Sequence, residues 1–164
     1  NKRWKLVAQS TQMSSSGVNT PLGRSAFTDG WDGYPQARAK LLGSVAQAGL
    51  KDVVVLGGDV HMNVAAQLRV QPNDEKSPIV ASEFVTTSIT SRGLGEKLLA
   101  QIRDSNPDIL HARSDERGYT FLDVKPEGIS AQFRTTPNPA KADGRISTQA
   151  QFYVKAGVAG LQKT

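Results

Sequence analysis

The stretch that most constrains this chain runs from Val53 to Asn63, VVVLGGDVHMN. Three valines and a leucine in a row read as a strand buried on both faces. Gly57 and Gly58 follow at once, and Asp59 and His61 stand just beyond the strand's end. In an open α/β sheet, the crevice outside the carboxyl ends of the strands is where ligands bind. A carboxylate and an imidazole separated by one residue point to the same side if the backbone stays extended, so both can reach one metal ion or two adjacent ones. The glycines leave room for another segment to come close. The stretch reads as half of a metal site. A turn aspartate followed by an exposed histidine is the plainer alternative, and the surrounding chain weighs between them.

At 164 residues the chain suits one domain of ordinary size, taken here as a single domain portion over 1–164. Its 38% hydrophobic and 21% charged residues fit a globular protein. No run approaches the ~20 apolar residues of a membrane span. The absence of cysteine excludes disulfides, thiolate zinc sites and cysteine nucleophiles within these residues. The net charge is +5, with Lys2, Arg3 and Lys5 clustered at the start. A positive field steers anionic substrates. Without interleaved aromatic and basic residues it is a weak signal for nucleic acid, which is expected only as a substrate. The chain opens at Asn1 with neither Met nor a basic-then-apolar leader, as expected of a processed or cleaved piece.

In order, Trp4 to Gln9 predicts a mostly buried strand, and Ser10 to Gly30 a long polar loop. Loops of that length inside a domain are usually functional or mobile. The cluster Asp29, Gly30, Trp31, Asp32, Gly33, Tyr34, Pro35 ends it. There Asp32 can cap the next helix and Pro35 suits its first turn. Trp31 and Tyr34 can also wall a pocket, stacking on an organic group. Gln36 to Ala48 has helical spacing with Gly49 as its stop, and Asp52 to Leu56 is the next strand. Strand, helix, strand predicts a βαβ unit with parallel pairing. Val64 to Val70 and Ile79 to Thr87 read as further strands, the second carrying Glu83. The loop Thr86 to Gly93 offers hydroxyls and Arg92, a set that can grip phosphate or simply cap a helix. Leu94 to Asp104 predicts a helix and Pro107 to Arg113 a short second one, with His111 as a surface or packing residue. Arg117 to Val124 and Ile129 to Thr135 form a hairpin through the KPEG turn. Residues 136–148 read as a long loop, and Gln151 to Ala156 as a last strand at an edge.

Four blocks then come in a familiar order: Asp29 to Pro35, Gly58-Asp59-Val60-His61, Glu83 to Gly93, and Arg117-Gly118-Tyr119. The sequence resembles the C-terminal half of the catalytic domain of PhoD-type alkaline phosphatases, within the metallophosphoesterase superfamily, over about positions 4 to 155. The resemblance implies an α/β fold, namely the C-terminal half of a β-sandwich of two mixed sheets flanked by helices. It implies hydrolysis of phosphate monoesters and diesters through a metal-activated water, and a secreted or periplasmic location. Two or more metal ions are implied, iron with calcium, with zinc or manganese as alternatives. Gly58-Asp59-Val60-His61 matches the superfamily's Gly-His-x-His motif with aspartate in the first place, as in PhoD relatives, which makes Asp59 and His61 metal ligands by resemblance. A carboxylate suits a hard cation such as calcium, and an imidazole suits iron or zinc. Trp31, Tyr34 and Arg92 are the expected substrate contacts, and no protein nucleophile is assigned.

Two histidines without cysteine cannot furnish a conventional two-metal set. The remaining ligands are therefore expected from the N-terminal portion of the same protein, and activity only with that portion. The alternatives are a non-catalytic domain of this fold that binds phosphorylated ligands or nucleic acid by charge, and a domain holding one structural cation through Asp59.

Overall fold

The computed structural model describes residues 2–141 and 144–163. In chain order come β1 (Lys5–Ala8), β2 (Val18–Thr20), β3 (Gly23–Ser25), a 3₁₀ turn at Trp31–Gly33, α1 (Pro35–Gln47), β4 (Val53–Gly57), β5 (Asn63–Arg69) and β6 (Ile79–Val85). Then follow α2 (Glu96–Ser105), β7 (Ile109–Arg113), β8 (Arg117–Val124), β9 (Gly128–Thr136), β10 (Ser147–Lys155) and β11 (Gln162–Lys163). A mixed sheet has the order β1-β4-β6-β5-β7, and a second, antiparallel sheet the order β11-β10-β9-β8. The βαβ expectation holds: β1 and β4 pair in parallel, with Lys5 opposite Val53 and Ala8 opposite Leu56, and α1 lies between them in sequence. No helix among the described residues is long and apolar enough to cross a membrane.

The layers follow from side-chain alternation. On β4, Val53 and Val55 pack with Met13, Leu42 and Leu68 on the α1 side, whereas Val54 faces the second sheet. This is why β4 reads as an unbroken apolar run: neither face meets water. On β5, Val64 and Ala66 meet Leu99 and Ile102 of α2, while Ala65 points the other way. The helices therefore cover one face of the mixed sheet and the antiparallel sheet covers the other. Between the sheets Phe84, Phe133 and Phe152 are fully buried, with Phe84 and Phe133 edge to face at 6.3 Å. Such a contact adds about 0.5–1.5 kcal/mol to the area term.

Several expectations change. Residues 109–113 form β7, antiparallel to β5, rather than a helix. The reason is a bulge: Ala65 pairs with His111 and Ala66 with Ile109, leaving Leu110 as the extra residue. The bulge puts Ile109 and Ala112, three apart, into the same apolar cluster, which imitates helical spacing. His111 is a packing residue, stacked on Phe133 with ring centroids 5.6 Å apart. β1 is present but largely exposed, with Leu6 and Val7 in contact with solvent, because it is the outermost strand of its sheet. Residues 10–30 contain the β2–β3 hairpin, and Gln12 to Ser15 are buried. β10 starts at Ser147 and is flanked by β9 and β11, so it is not an edge. Within 136–148, positions 142 and 143 lie outside the described residues, while 137–141 and 144–146 form neither helix nor strand.

Candidate metal centre

The turn after β4 is tight. A Cβ on Gly57 would lie 2.2 Å from the Thr11 carbonyl, so only glycine admits the loop that follows β1. Asp59 and His61 both take left-handed backbone, at φ 69° and 54°, and the Val60 N–H donates to the Gly58 carbonyl at 2.8 Å. The backbone is therefore not extended here, contrary to the premise behind the shared-side expectation. Asp and His are among the residues that tolerate this region, at an energetic cost met chiefly at functional sites.

The surroundings of His61 determine its tautomer. Its Nδ1 lies 3.0 Å from the Arg92 carbonyl, which can only accept, so the neutral ring carries its proton on Nδ1 and leaves Nε2 with a lone pair. This is the outer hydrogen bond that orients metal-binding imidazoles. The carbonyl of His61 is held in turn, accepting from Thr87 Oγ1 at 3.2 Å and Arg117 Nη1 at 3.3 Å. Arg117 also donates to the Ser91 carbonyl at 2.7 Å, to Ser88 Oγ at 2.9 Å and to the Ser114 carbonyl. Its side chain is buried, and that burial pulls its pKa below the ordinary arginine value. Gly93 sits so close that a Cβ there would lie 2.5 Å from the His61 carbonyl. Arg117 and Gly93 thus clamp the His61 turn to the 88–93 loop.

Asp59 is exposed, and among the described residues its carboxylate meets one hydrogen-bond donor, Thr11 Oγ1 at 3.4 Å. Chemically the pair fits a metal, offering a hard oxygen and an oriented imidazole nitrogen. The pair is also incomplete: among the described residues no group of three or more His, Cys, Asp or Glu side chains is placed to hold an ion.

Two cavities lie near the turn; the larger has Asp59 and Val60 in its lining, and the smaller reaches the turn only through Thr11, the donor to Asp59. One of about 400 Å³ is lined by Gln9, Thr11, Asp29, Trp31 and Tyr34, which places both predicted aromatics in one wall. Trp31 also packs on the α1 cluster and donates from Nε1 to Gln9 Oε1 at 3.1 Å, whereas Tyr34 is mostly exposed. The other, of about 470 Å³, has Asp29 and Asp59 among its lining residues and runs to α2. Arg92 is exposed, and among the described residues its guanidinium has no hydrogen-bond or ion-pair partner; only its carbonyl joins the site.

Asp32 does something other than cap α1, whose N-terminus has no side-chain cap. It accepts from the Ser16 N–H at 2.8 Å, the Gly17 N–H at 3.1 Å and Arg38 Nη1 at 2.7 Å. Burial raises its pKa, but the Ser16 donor and Arg38 together outweigh that and hold it below the ordinary aspartate value. Beneath the same loop, fully buried Glu83 accepts the Met13 and Ser14 N–H groups at 2.5 and 2.8 Å. Burial pushes its pKa up against those donors. Arg117, Thr11, Arg38 and Glu83 are the supporting residues that sequence reasoning left without a role. Only Arg117 and Glu83 carried a signal, as members of the recognised blocks.

The PhoD-like phosphatase family model matches residues 1–133. The chain is similar to alkaline phosphatase D of Bacillus subtilis, at 36% identity over 163 residues, which is 98% of this chain and 28% of that protein. It also superposes on a solved structure described as "Structure of PhoD" with a TM-score of 0.88 at 33% identity, over 99% of this chain and 31% of the other. The chain therefore spans under a third of the length of each. A match to serine hydroxymethyltransferase of Acinetobacter baylyi, 30% identical over 80 residues, covers 48% of this chain and 19% of that protein and carries no functional argument.

Proposed function

Because the chain belongs to the PhoD-like phosphatase family, we propose that it is the C-terminal half of a catalytic domain for metal-dependent hydrolysis of phosphate esters. The observation that carries the reading is the Asp59–His61 turn. It presents an imidazole with Nε2 free and a weakly engaged carboxylate, both on strained backbone that neighbouring loops hold in place. A cation bound there supplies Lewis-acid polarisation of the phosphoryl oxygens and lowers the pKa of a coordinated water toward neutrality.

The chain's own residues orient and bind. The Arg92 carbonyl keeps His61 in the metal-binding tautomer, and Arg117 holds the turn. Trp31 and Tyr34 wall the side on which an organic group would stack. The unengaged Arg92 guanidinium is a fork donor for phosphate oxygens. The carboxylate–imidazole pair suits calcium with iron, or zinc or manganese in the nitrogen site. The remaining ligands come from the N-terminal portion of the same protein, and the outer edge of β1 with exposed Leu6 and Val7 is a surface on which further structure can pack. The full protein acts in the periplasm or outside the cell, as the family resemblance implies.

The test is turnover of aryl phosphate mono- and diesters by the full-length protein with and without chelator. Expected are chelator-sensitive hydrolysis and a loss of at least a hundredfold on His61→Ala. Near-normal turnover of that variant with intact metal content would refute the assignment. Binding of phosphate esters without turnover, weakening steeply as salt rises, would point to the non-catalytic alternative.

A further inference from the structure

The larger cavity beside Asp59 has a character that phosphate chemistry does not require. It lies between the β2–β3 hairpin and α2 and encloses about 470 Å³, within the range of small-ligand pockets. Met62 and Ile102, both buried, line it together with Val60, Phe27, Leu94 and Leu98. Leu98 is 43% exposed and Phe27 58%, so apolar walls stand in water. Val60 lies between Asp59 and His61 in sequence, and Asp59 and Val60 both line the cavity, so a phosphate ester held at that turn has the cavity beside it.

The charges at the lining exclude most occupants. Its ionisable residues are Asp29 and Asp59, neither with an ion-pair partner among the described residues, and its other polar residues are Ser16 and Ser25. With Asp59 engaged by the cation, the Asp29 carboxylate still disfavours a second phosphate or an acidic group, and the apolar walls offer a sugar few hydrogen bonds. We propose that this cavity receives an apolar alkyl or aryl substituent of the phosphate ester, with Leu98 as a specificity-determining residue on α2. The proposal rests on Asp59 and His61 being the reacting end of the site.

The experiment compares octyl phosphate with methyl phosphate on the full-length, metal-loaded protein, and repeats the comparison with Leu98→Asn and Leu98→Met. The expected result is a kcat/KM for octyl phosphate at least tenfold above that for methyl phosphate. Leu98→Asn should remove most of that preference with methyl phosphate unchanged, and Leu98→Met should keep it. Equal kcat/KM for the two esters in the wild type, or an equal fall for both in Leu98→Asn, would overturn the proposal; the second is also what a misfolded variant gives, and Leu98→Met, retaining turnover without chain-length preference, would overturn it independently. Calorimetry with octylphosphonate and methylphosphonate, neither a phosphate ester, separates the two readings. A tenfold tighter octyl analogue in a protein that hydrolyses no ester supports the cavity and refutes the hydrolase. Equal affinities in a protein that does hydrolyse esters do the reverse.

Discussion

Asp32 and Asp59 sit in loops at the same end of the mixed sheet and have opposite surroundings. Asp32 is enclosed, and its side chain shares a 2.7 Å ion pair with Arg38 in which both partners are only 7% exposed. Backbone N–H groups of Ser16 and Gly17 occupy its other oxygen. Asp59 is exposed, takes one long hydrogen bond and rests on left-handed backbone. The first aspartate has its partners built into the fold. The second has one donor, Thr11 Oγ1, among the described residues, and its oxygens otherwise face solvent. Buried polar groups with complete partners stabilise and position, whereas strained, accessible groups with incomplete partners mark chemistry.

Breaking Asp32 is the harshest test of that contrast. Asp32→Ala leaves Arg38 buried and unpaired, which costs about 3–5 kcal/mol, read as a lowered urea midpoint of the full-length protein. In the metal-free protein Asp59→Asn should change the unfolding free energy by less than about 0.5 kcal/mol, as for surface substitutions generally. Equal losses would erase the distinction. The catalytic counterpart comes next: His61→Ala should cost at least a hundredfold in turnover, about 2.7 kcal/mol, while unfolding of the metal-free variant stays near that of the metal-free wild type. Arg117 tests the clamp. Arg117→Lys keeps the charge but cannot reach three carbonyls at once, and a metal affinity roughly tenfold weaker follows from losing an outer-shell contact. Unchanged affinity by titration calorimetry would mean that the turn holds itself.

The smallest expected effect lies in the pH dependence, where Asp32 and Glu83 have opposite signs. The folded pKa of Asp32 is depressed, so its stabilisation is present above the unfolded aspartate range and is lost as pH falls through the folded value. That of Glu83 is raised by burial, so its contribution is greatest below the unfolded glutamate range and is lost as pH rises through the folded value. Asp32→Asn should therefore flatten the acid limb of the stability curve, and Glu83→Gln should flatten the decline on the higher-pH side. Urea unfolding between pH 3 and pH 8 reads both.

Much of this was legible in the sequence where periodicity and burial agree. The Val53–Leu56 run, the α1 spacing and the KPEG hairpin each have one structural solution, and the Asp59–His61 pair stands out because it follows a buried strand directly. Other features depend on tertiary choice. The Leu110 bulge gives 109–113 helical spacing inside a strand, and β1 reads as buried because its sequence is apolar, although it lies at an edge. The cap predicted for Asp32 failed because Arg38, on α1 itself, and the Ser16 turn, earlier in the chain, take the same carboxylate. Arg117 stood in a recognised block, but nothing local says that its guanidinium reaches the His61 carbonyl.

The most direct measurement is metal stoichiometry by elemental analysis of the full-length protein, wild type against Asp59→Ala combined with His61→Ala. The expected result is a wild type with two or more ions per chain and a double variant that loses at least one while remaining folded. A double variant that keeps its full metal complement would contradict the assignment of this turn as a metal centre.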